Sequence, residues 1–147
     1  LKIFGQKSKE ADDHAVSLGV AMQLTNIIRD IKEDYERGRI YLADDEMQQY
    51  SIGENVIADE TVSDDLKVFL KLQITKARKF YSESSNGIRM IPDLRSRIVV
   101  CMMKDIYAGI LEQIEKNNYD VFNRRAHVNF LGKILITLKV FKKKEFI

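Results

Sequence analysis

The chain has 147 residues, of which 45% are hydrophobic and 31% charged, with 24 Lys and Arg against 22 Asp and Glu. This length suits one domain over residues 1–147, and the balanced charge argues against a nucleic-acid-binding protein. The single cysteine, Cys101, excludes an internal disulfide framework. No apolar run approaches the ~20 residues that span a bilayer, and the sequence as given does not open with the pattern of a signal peptide. We therefore expect a cytoplasmic protein.

Apolar residues recur at helical spacing, and no stretch alternates long enough to predict a strand. The single proline, Pro92, favours long helices. The predicted elements in chain order are a helix over about 8–37, a short helix over 44–50, a loop through 53 and 58–65, a helix over 64–83, a break at 82–87, a helix over 92–117 and a last helix over 128–143. The predicted fold class is all-α.

Local signals support several of these boundaries. Gly38 is expected to end the first helix, because glycine readily adopts the backbone conformation found at helix ends. Thr61 followed by Asp64 resembles a capping box for the next long helix. Pro92 suits the first turn of the helix over 92–117. That helix is hydrophobic around much of its circumference, so it is predicted to be central.

The segment 18–42, LGVAMQLTNIIRDIKEDYERGRIYL, sets polar residues into an apolar helix. At ~100° per residue, five of them share about a third of the circumference: Gln23, Asn26, Asp30, Asp34 and Arg37. Two carboxylates on adjacent turns repel one another and are costly to bury unless they share a cation, and Mg²⁺ prefers such oxygen ligands. The alternative is a solvated face, which would favour Lys or Glu over the two amides.

The same segment resembles the second aspartate-rich motif of the squalene/phytoene synthase family, the head-to-head prenyltransferases. The family pattern is roughly Q-L-T-N-I-x-R-D-x-x-E-D followed by G-R-x-Y-L-P, and this sequence departs from it only at Ala43, in place of the proline. NNYDVFNRRAHV at 117–128 is similar to the family's Y-D-V-F-x-R-R, and GIRMIP at 87–92 to its G-I-x-x-L-P. Three motifs in order make the resemblance specific.

The resemblance implies an isoprenoid-synthase helical bundle around a hydrophobic cavity, of which this chain would supply the C-terminal half. The family has two aspartate-rich helices, and only one such motif is found here. We therefore expect the first motif upstream of Leu1, in a half that packs against this one. We also expect that these 147 residues alone do not catalyse prenyl coupling.

Matching positions imply the site residues. The Mg²⁺ ligands would be Asn26, Asp30 and Asp34. The catalytic positions would be Asp30, Asp34, Tyr41 and Tyr107, and the substrate-binding positions Gln23, Asn26, Arg29 and Arg124. Core packing is an equal alternative for Tyr107. Glu33 is expected to orient the ligands, and Arg125 to face solvent or to pair elsewhere.

The implied reaction joins two farnesyl or geranylgeranyl diphosphates through a cyclopropylcarbinyl diphosphate to a C30 or C40 hydrocarbon: squalene, dehydrosqualene or phytoene. Mg²⁺ would act as Lewis acid and template for the leaving diphosphate. No dinucleotide fingerprint is present, which disfavours a step that uses NADPH. Two alternatives remain open. One is a prenyl diphosphate phosphatase on the same scaffold, and the other is a non-catalytic homologue, against which the intact carboxylates argue.

The last predicted helix is amphipathic and rich in lysine. Peripheral contact with an anionic membrane and a solvated helix are the two interpretations of this pattern.

Overall fold

The computed structural model describes residues 9–142, which form seven α-helices and no strand. In chain order these are α1 (Lys9–Arg29), α2 (Ile31–Glu36), α3 (Asp44–Gln49), α4 (Glu54–Ala58), α5 (Asp64–Arg89), α6 (Leu94–Lys116) and α7 (Phe130–Lys142). α1 packs mainly against α5 and also against α6, which in turn carries α7. The predicted all-α fold class is confirmed. None of the helices in the described part is both long and apolar enough to cross a membrane.

The core is organised by α5, which Ser63 caps by accepting a hydrogen bond from the Leu66 backbone N–H at 3.1 Å. Apolar residues at spacings of three and four then give the helix one buried stripe: Leu66, Phe69, Leu70, Ile74 and Ala77. This stripe shares one core cluster with Ala21 and Ile28 of α1. Burial of this face fixes which side of α1 remains available for a site.

A buried hydrogen bond also fixes the position of α1 against α5. Thr25 Oγ1 lies 2.9 Å from the Tyr81 hydroxyl and donates to the Ala21 carbonyl at 2.8 Å. Tyr81 is therefore the donor to Thr25. Burial raises the pKa of Tyr81 to about 12, so the phenol stays neutral and keeps its proton for this bond at physiological pH.

The first long helix is interrupted, contrary to the prediction that it runs unbroken to residue 37. α1 ends at Arg29, and Asp30, with φ −104° and ψ 17°, separates it from α2. Gly38 ends α2 as predicted, with φ +70°. Its N–H donates to the Tyr35 carbonyl while the Arg39 N–H donates to the Asp34 carbonyl, which is the Schellman pattern.

The predicted break at 82–87 is wrong, because α5 continues to Arg89. Ser84 is buried and donates to the Tyr81 carbonyl at 2.8 Å, so its hydroxyl is satisfied inside the helix. Gly87 is buried where α5 meets α1, and a Cβ there would overlap the His14 side chain. The small residues at 82–87 thus permit close helix packing rather than ending the helix.

Several smaller boundaries also differ from the prediction. Residues 54–58, expected in a loop, form α4. Ser63 rather than Thr61 caps α5. Asp93 caps α6 by accepting from the Ser96 N–H at 2.7 Å, so Pro92 precedes the helix. α7 begins at Phe130 rather than at 128, and its predicted end at 143 lies outside the described residues.

The two glycines Gly19 and Gly87 should respond oppositely to substitution by alanine. Gly87→Ala forces a Cβ into His14 and should lower the free energy of unfolding by about 1–3 kcal/mol. Gly19→Ala, with nothing within 4 Å of its new Cβ, should raise it by about 0.5–1 kcal/mol through helix propensity. Urea unfolding followed by circular dichroism measures the free energy of unfolding of both variants and of the wild type. Stabilisation by Gly87→Ala would contradict this packing.

Candidate functional site

The aspartate-rich segment lies at the junction of α1 and α2. The Asp30 N–H donates to the Asn26 carbonyl and the Asp34 N–H to the Asp30 carbonyl, each at 2.8 Å. The helical hydrogen-bond pattern therefore continues across the junction, and these three side chains occupy successive turns on one line. Gln23, one turn earlier, is exposed, while Asn26 and Asp34 are partly buried. The Asp30 side chain is only 15% exposed, so it does not belong to a solvated face.

Asp30 is held by two arginines. Arg29 donates to Oδ1 through Nε at 2.7 Å and to Oδ2 through Nη2, which makes a bidentate pair. Arg125 donates to Oδ1 through Nε at 3.1 Å and Nη2 at 3.0 Å. Burial acts to raise the pKa of Asp30, but the hydrogen bonds from the two arginines outweigh it and hold the pKa below its usual value. Asp30 is therefore a carboxylate at neutral pH.

Arg125 bridges the α6–α7 loop to this segment, since it also pairs with Glu33 at 3.0 Å. Arg125 is exposed to solvent as expected, but it pairs with Asp30 and Glu33 rather than elsewhere. The Arg125 side chain is 56% exposed even while it binds two carboxylates. Glu33 thus orients Arg125.

A turn at Asp120 orients the two arginines that follow it, Arg124 and Arg125. Asp120 Oδ1 accepts from the Phe122 N–H at 3.1 Å and the Asn123 N–H at 2.9 Å. Burial acts to raise the pKa of Asp120, yet these hydrogen bonds hold it below its usual value. Arg124 is exposed, interacts electrostatically with Asp120 and lines an open cavity together with Arg125. Arg124 does not pair with the aspartate line as Arg125 does.

Asn26 carries an unsatisfied atom. Its Oδ1 is buried without a hydrogen-bond partner, and it is the sole such side-chain atom within residues 9–142. Leaving a buried acceptor unpaired costs about 1–3 kcal/mol, so this site calls for a donor or a cation. The acceptor stands next to the two carboxylates of the same helical line.

The oxygen set fits Mg²⁺ as a partial coordination shell. Asn26, Asp30 and Asp34 offer one amide and two carboxylates, which are the hard ligands that this ion prefers. No three His, Cys, Asp or Glu side chains of residues 9–142 are grouped to hold a metal by themselves. Mg²⁺ commonly uses one or two carboxylates and completes its shell with water and substrate phosphates. The donor set is therefore appropriate for an ion that binds together with a phosphorylated substrate.

Tyr41 stands beside Asp34 at a shallow cleft formed by α2 and the loop that follows it. Asp34, Arg39 and Tyr41 line this cleft, whose other walls include Ile27 and Ile31. Tyr41 is half exposed. A carboxylate, a guanidinium and a phenol thus share one concavity with an apolar floor.

Tyr107 lies between the core and the end of α1. It packs against the main core from α6. It also interacts electrostatically with Arg29 and with Tyr81, which brings it near the end of α1. The structure therefore groups Tyr107 and Arg29 with the aspartate line, whereas Gln23 and Arg124 lie in more exposed positions at its margin.

Sequence comparisons find relatives over most of this chain. The family model described as Squalene/phytoene synthase matches residues 1–131. The 15-cis-phytoene synthase of Synechocystis sp. is 41% identical over 124 residues, which cover 84% of this chain and 36% of that protein. Phytoene synthase 2, chloroplastic, of Solanum lycopersicum is 42% identical over 121 residues, covering 82% and 39% respectively. The chain spans less than half the length of these relatives.

Solved structures show the same helical arrangement. A crystal structure of a dehydrosqualene synthase in complex with ligand matches with a TM-score of 0.81 and 29% identity, over 88% of this chain and 45% of that chain. The crystal structure of YisP from Bacillus subtilis matches with a TM-score of 0.75 and 24% identity, over 86% and 50%, and supports the fold alone. The chain has part of the isoprenoid-synthase helical fold, and it belongs to the squalene/phytoene synthase family.

Proposed function

We propose that this chain supplies one aspartate-rich wall of a site that condenses two prenyl diphosphates head to head. The observation that carries the proposal is the buried, unpaired Asn26 Oδ1 on the same helical line as Asp30 and Asp34, where Asp30 is paired with the guanidinium groups of Arg29 and Arg125. This combination of oxygen ligands and cationic donors suits a metal–diphosphate pair. The similarity to phytoene synthases supports the same reaction class.

In this proposal Asn26, Asp30 and Asp34 would hold Mg²⁺, which would supply the positive charge that a leaving diphosphate requires. Arg29 and Arg125 position phosphate oxygens, because a guanidinium that binds a carboxylate presents the same planar donors to a phosphate. Arg124 adds positive charge at the margin. Gln23 contributes an amide at the edge of the substrate channel.

The two tyrosines have complementary positions in the proposed site. Tyr41 carries a hydroxyl beside Asp34 at the open cleft. Tyr107 lies deeper, against the core and near Arg29. Each combines a hydrogen-bond donor with an aromatic face, and an aromatic face stabilises a nearby carbocation. We propose that Tyr107, because it is the less solvated, serves the cationic stage of the reaction.

The proposed reaction proceeds in two stages. Loss of one diphosphate gives an allylic cation, which the double bond of the second substrate captures; loss of a proton then leaves a cyclopropylcarbinyl diphosphate. Loss of the second diphosphate, rearrangement of the resulting cation and loss of a proton give a C30 or C40 hydrocarbon. Val16 lies two turns from Gln23 on the same exposed line of α1, so the polar line continues into apolar surface suited to a prenyl chain.

The test is product analysis with the purified full-length protein that contains this chain. Farnesyl and geranylgeranyl diphosphate are supplied separately, with Mg²⁺ or with EDTA, and products are identified by gas chromatography and mass spectrometry. We expect a coupled C30 or C40 hydrocarbon that EDTA abolishes and that NADPH does not change. The 147-residue chain alone should give none. Release of only farnesol or geranylgeraniol would support a phosphatase instead, and no product from either substrate would support a non-catalytic homologue.

A further inference from the structure

A cavity with only polar lining lies between the C-terminal end of α6 and the loop that leads to α7. Its volume is about 460 Å³, and we call it the polar cavity. The described residues that line it are two arginines, one histidine and three amides, with no carboxylate and no apolar side chain: Arg124, Arg125, His127, Gln113, Asn117 and Asn129. Pockets for apolar ligands have mainly hydrophobic walls, so this lining disfavours a prenyl chain and favours a small anion.

The hydrogen bonds of two of these amides leave their NH₂ groups for a ligand. Asn117 Oδ1 accepts from Gln113 Nε2 at 2.9 Å. Asn129 Oδ1 accepts from the Gly132 N–H at 2.8 Å, in the first turn of α7. Because each oxygen is already used, the group that each side chain still offers is an NH₂ with two donors. Within residues 9–142 neither NH₂ group donates to another residue.

Arg124 provides the main uncompensated charge of the polar cavity. Arg125 is already paired with Asp30 and Glu33. Arg124 interacts electrostatically with Asp120, but it forms no salt bridge in the part of the chain that the structure describes. A guanidinium presents planar N–H donors that match phosphate oxygens. Arg124 and the two amide NH₂ groups are therefore a donor set appropriate for a phosphate group.

The polar cavity adjoins the aspartate line through Arg125. A neighbouring cavity is lined by Arg29, and it shares Arg125 and His127 with the polar cavity. Arg29 and Arg125 are the two arginines that bind Asp30. Arg125 therefore stands between the Asp30 carboxylate and the donors of the polar cavity. An anion that leaves Asp30 past Arg125 enters the polar cavity.

We propose that the polar cavity is a second anion site, which binds inorganic diphosphate without a metal ion and takes up the diphosphate released at the aspartate line. The source of this anion rests on the proposed function, whereas binding of free diphosphate does not. Substrate and leaving group differ by the prenyl chain, for which the polar cavity has no apolar wall, so the site distinguishes product from substrate. Its volume leaves room for waters that bridge a diphosphate to the walls.

Calorimetric titration of the full-length protein with sodium diphosphate, in EDTA and without substrate, tests the anion site. Chelation removes the divalent ion through which carboxylates bind a diphosphate, so the aspartate line does not contribute. We expect saturable binding to one site, which weakens as sodium chloride is added. Absence of saturable binding would overturn the proposal.

Two substitutions remove the donors and keep the local hydrogen bonds. In Asn117→Asp and Asn129→Asp the side-chain oxygen still accepts its present hydrogen bond, but the NH₂ group becomes an anionic oxygen. Aspartate is as good an N-cap as asparagine, so α7 keeps its first turn. The double variant should bind diphosphate at least about a hundredfold more weakly, or roughly tenfold for each lost charge-assisted hydrogen bond. Wild-type affinity in this variant would place the anion elsewhere and remove the assignment.

Asn118→Asp is the matched control. Asn118 is exposed, directly follows Asn117 and does not line the polar cavity. The substitution adds one negative charge beside the polar cavity, so a general electrostatic effect would appear in it as well. Because this charge is exposed and screened by salt, it should change the affinity for diphosphate less than about twofold. A loss as large as that in Asn117→Asp would contradict a direct contact with the amide.

Steady-state kinetics at a fixed concentration of free Mg²⁺ test the uptake of the released diphosphate. An occupied polar cavity should block release of the leaving group at any substrate concentration. Added sodium diphosphate should therefore inhibit the wild type noncompetitively with respect to the prenyl diphosphate. The double variant should lose this component and retain only competition at the aspartate line. Purely competitive inhibition of the wild type would overturn the role in release.

The two experiments separate failure of this inference from failure of the proposed function. The titration in EDTA needs no turnover, so it decides whether the anion site exists even if the full-length protein forms no coupled hydrocarbon. That outcome would refute the proposed function and, with it, the aspartate line as the source of the diphosphate.

Discussion

Replacing Asp34 by asparagine should abolish Mg²⁺-dependent turnover in the full-length protein, lowering kcat by at least about a hundredfold. The change keeps the size of the side chain but exchanges a carboxylate for a neutral amide, which binds Mg²⁺ far less strongly. Asp34 lines the cleft with Tyr41 and Arg39 rather than the core, so the melting temperature should hardly move. Steady-state kinetics and a thermal melt of the same preparation give both quantities.

Glu36→Gln is the matched control for this experiment. Glu36 is on the same short helix and is exposed, but it does not lie on the line formed by Asn26, Asp30 and Asp34. Both substitutions remove one negative charge, so a general electrostatic effect would appear in both. Calorimetric titration with Mg²⁺ and a substrate analogue should show weakened metal binding in Asp34→Asn alone. Wild-type turnover in Asp34→Asn would remove the metal assignment.

The features that could be predicted from the sequence are those with local causes. The apolar spacing of α5 and α6 fixes their existence, because burying such a stripe requires a helix. Gly38 was predictable as a helix end because the Schellman geometry demands a positive φ, here +70°. The line of Asn26, Asp30 and Asp34 follows from helical periodicity alone, and the family follows from the motifs around it.

The features that were missed depend on contacts distant in sequence. Serines and a glycine at 82–87 are typical of a loop, yet packing against His14 and an internal hydrogen bond from Ser84 make them helical. The interruption of the helix at Asp30 could not be predicted, because the spacing of the apolar residues does not change there. Nothing in the Arg-Arg pair tells which guanidinium turns towards Asp30, since the turn at Asp120 decides it.

The neighbouring substitutions Arg125→Ala and Arg124→Ala should have clearly different effects. Arg125 links the α6–α7 loop to Asp30 and Glu33, so its loss should lower kcat/KM by about ten- to a hundredfold if it also positions diphosphate. It should lower the free energy of unfolding by about 1 kcal/mol, a modest value because Arg125 is more than half exposed and screened by solvent. Arg124→Ala makes the same chemical change one residue away and should leave stability unchanged.

The stability difference should depend on pH in a defined direction. The hydrogen bonds from Arg29 and Arg125 hold the pKa of Asp30 below its usual value despite burial. A carboxylate of this kind contributes stability above its unfolded pKa, about 4, and loses it as pH falls through the lower folded value. Removing Arg125 raises the pKa of Asp30 towards the unfolded value. The gap between wild type and Arg125→Ala should therefore be full near pH 7 and shrink below about pH 4.

The free energy of unfolding of wild type, Arg125→Ala and Arg124→Ala is measured by urea unfolding across that pH range. If the difference in free energy of unfolding between wild type and Arg125→Ala stays constant down to pH 2, Arg125 does not stabilise the protein through its ion pair with Asp30. A larger loss of kcat/KM in Arg124→Ala than in Arg125→Ala would assign the diphosphate to the exposed arginine at the margin. Because the two variants remove the same side chain at adjacent positions that directly follow the Asp120 turn, the comparison tests which of the two guanidinium groups the turn directs to Asp30.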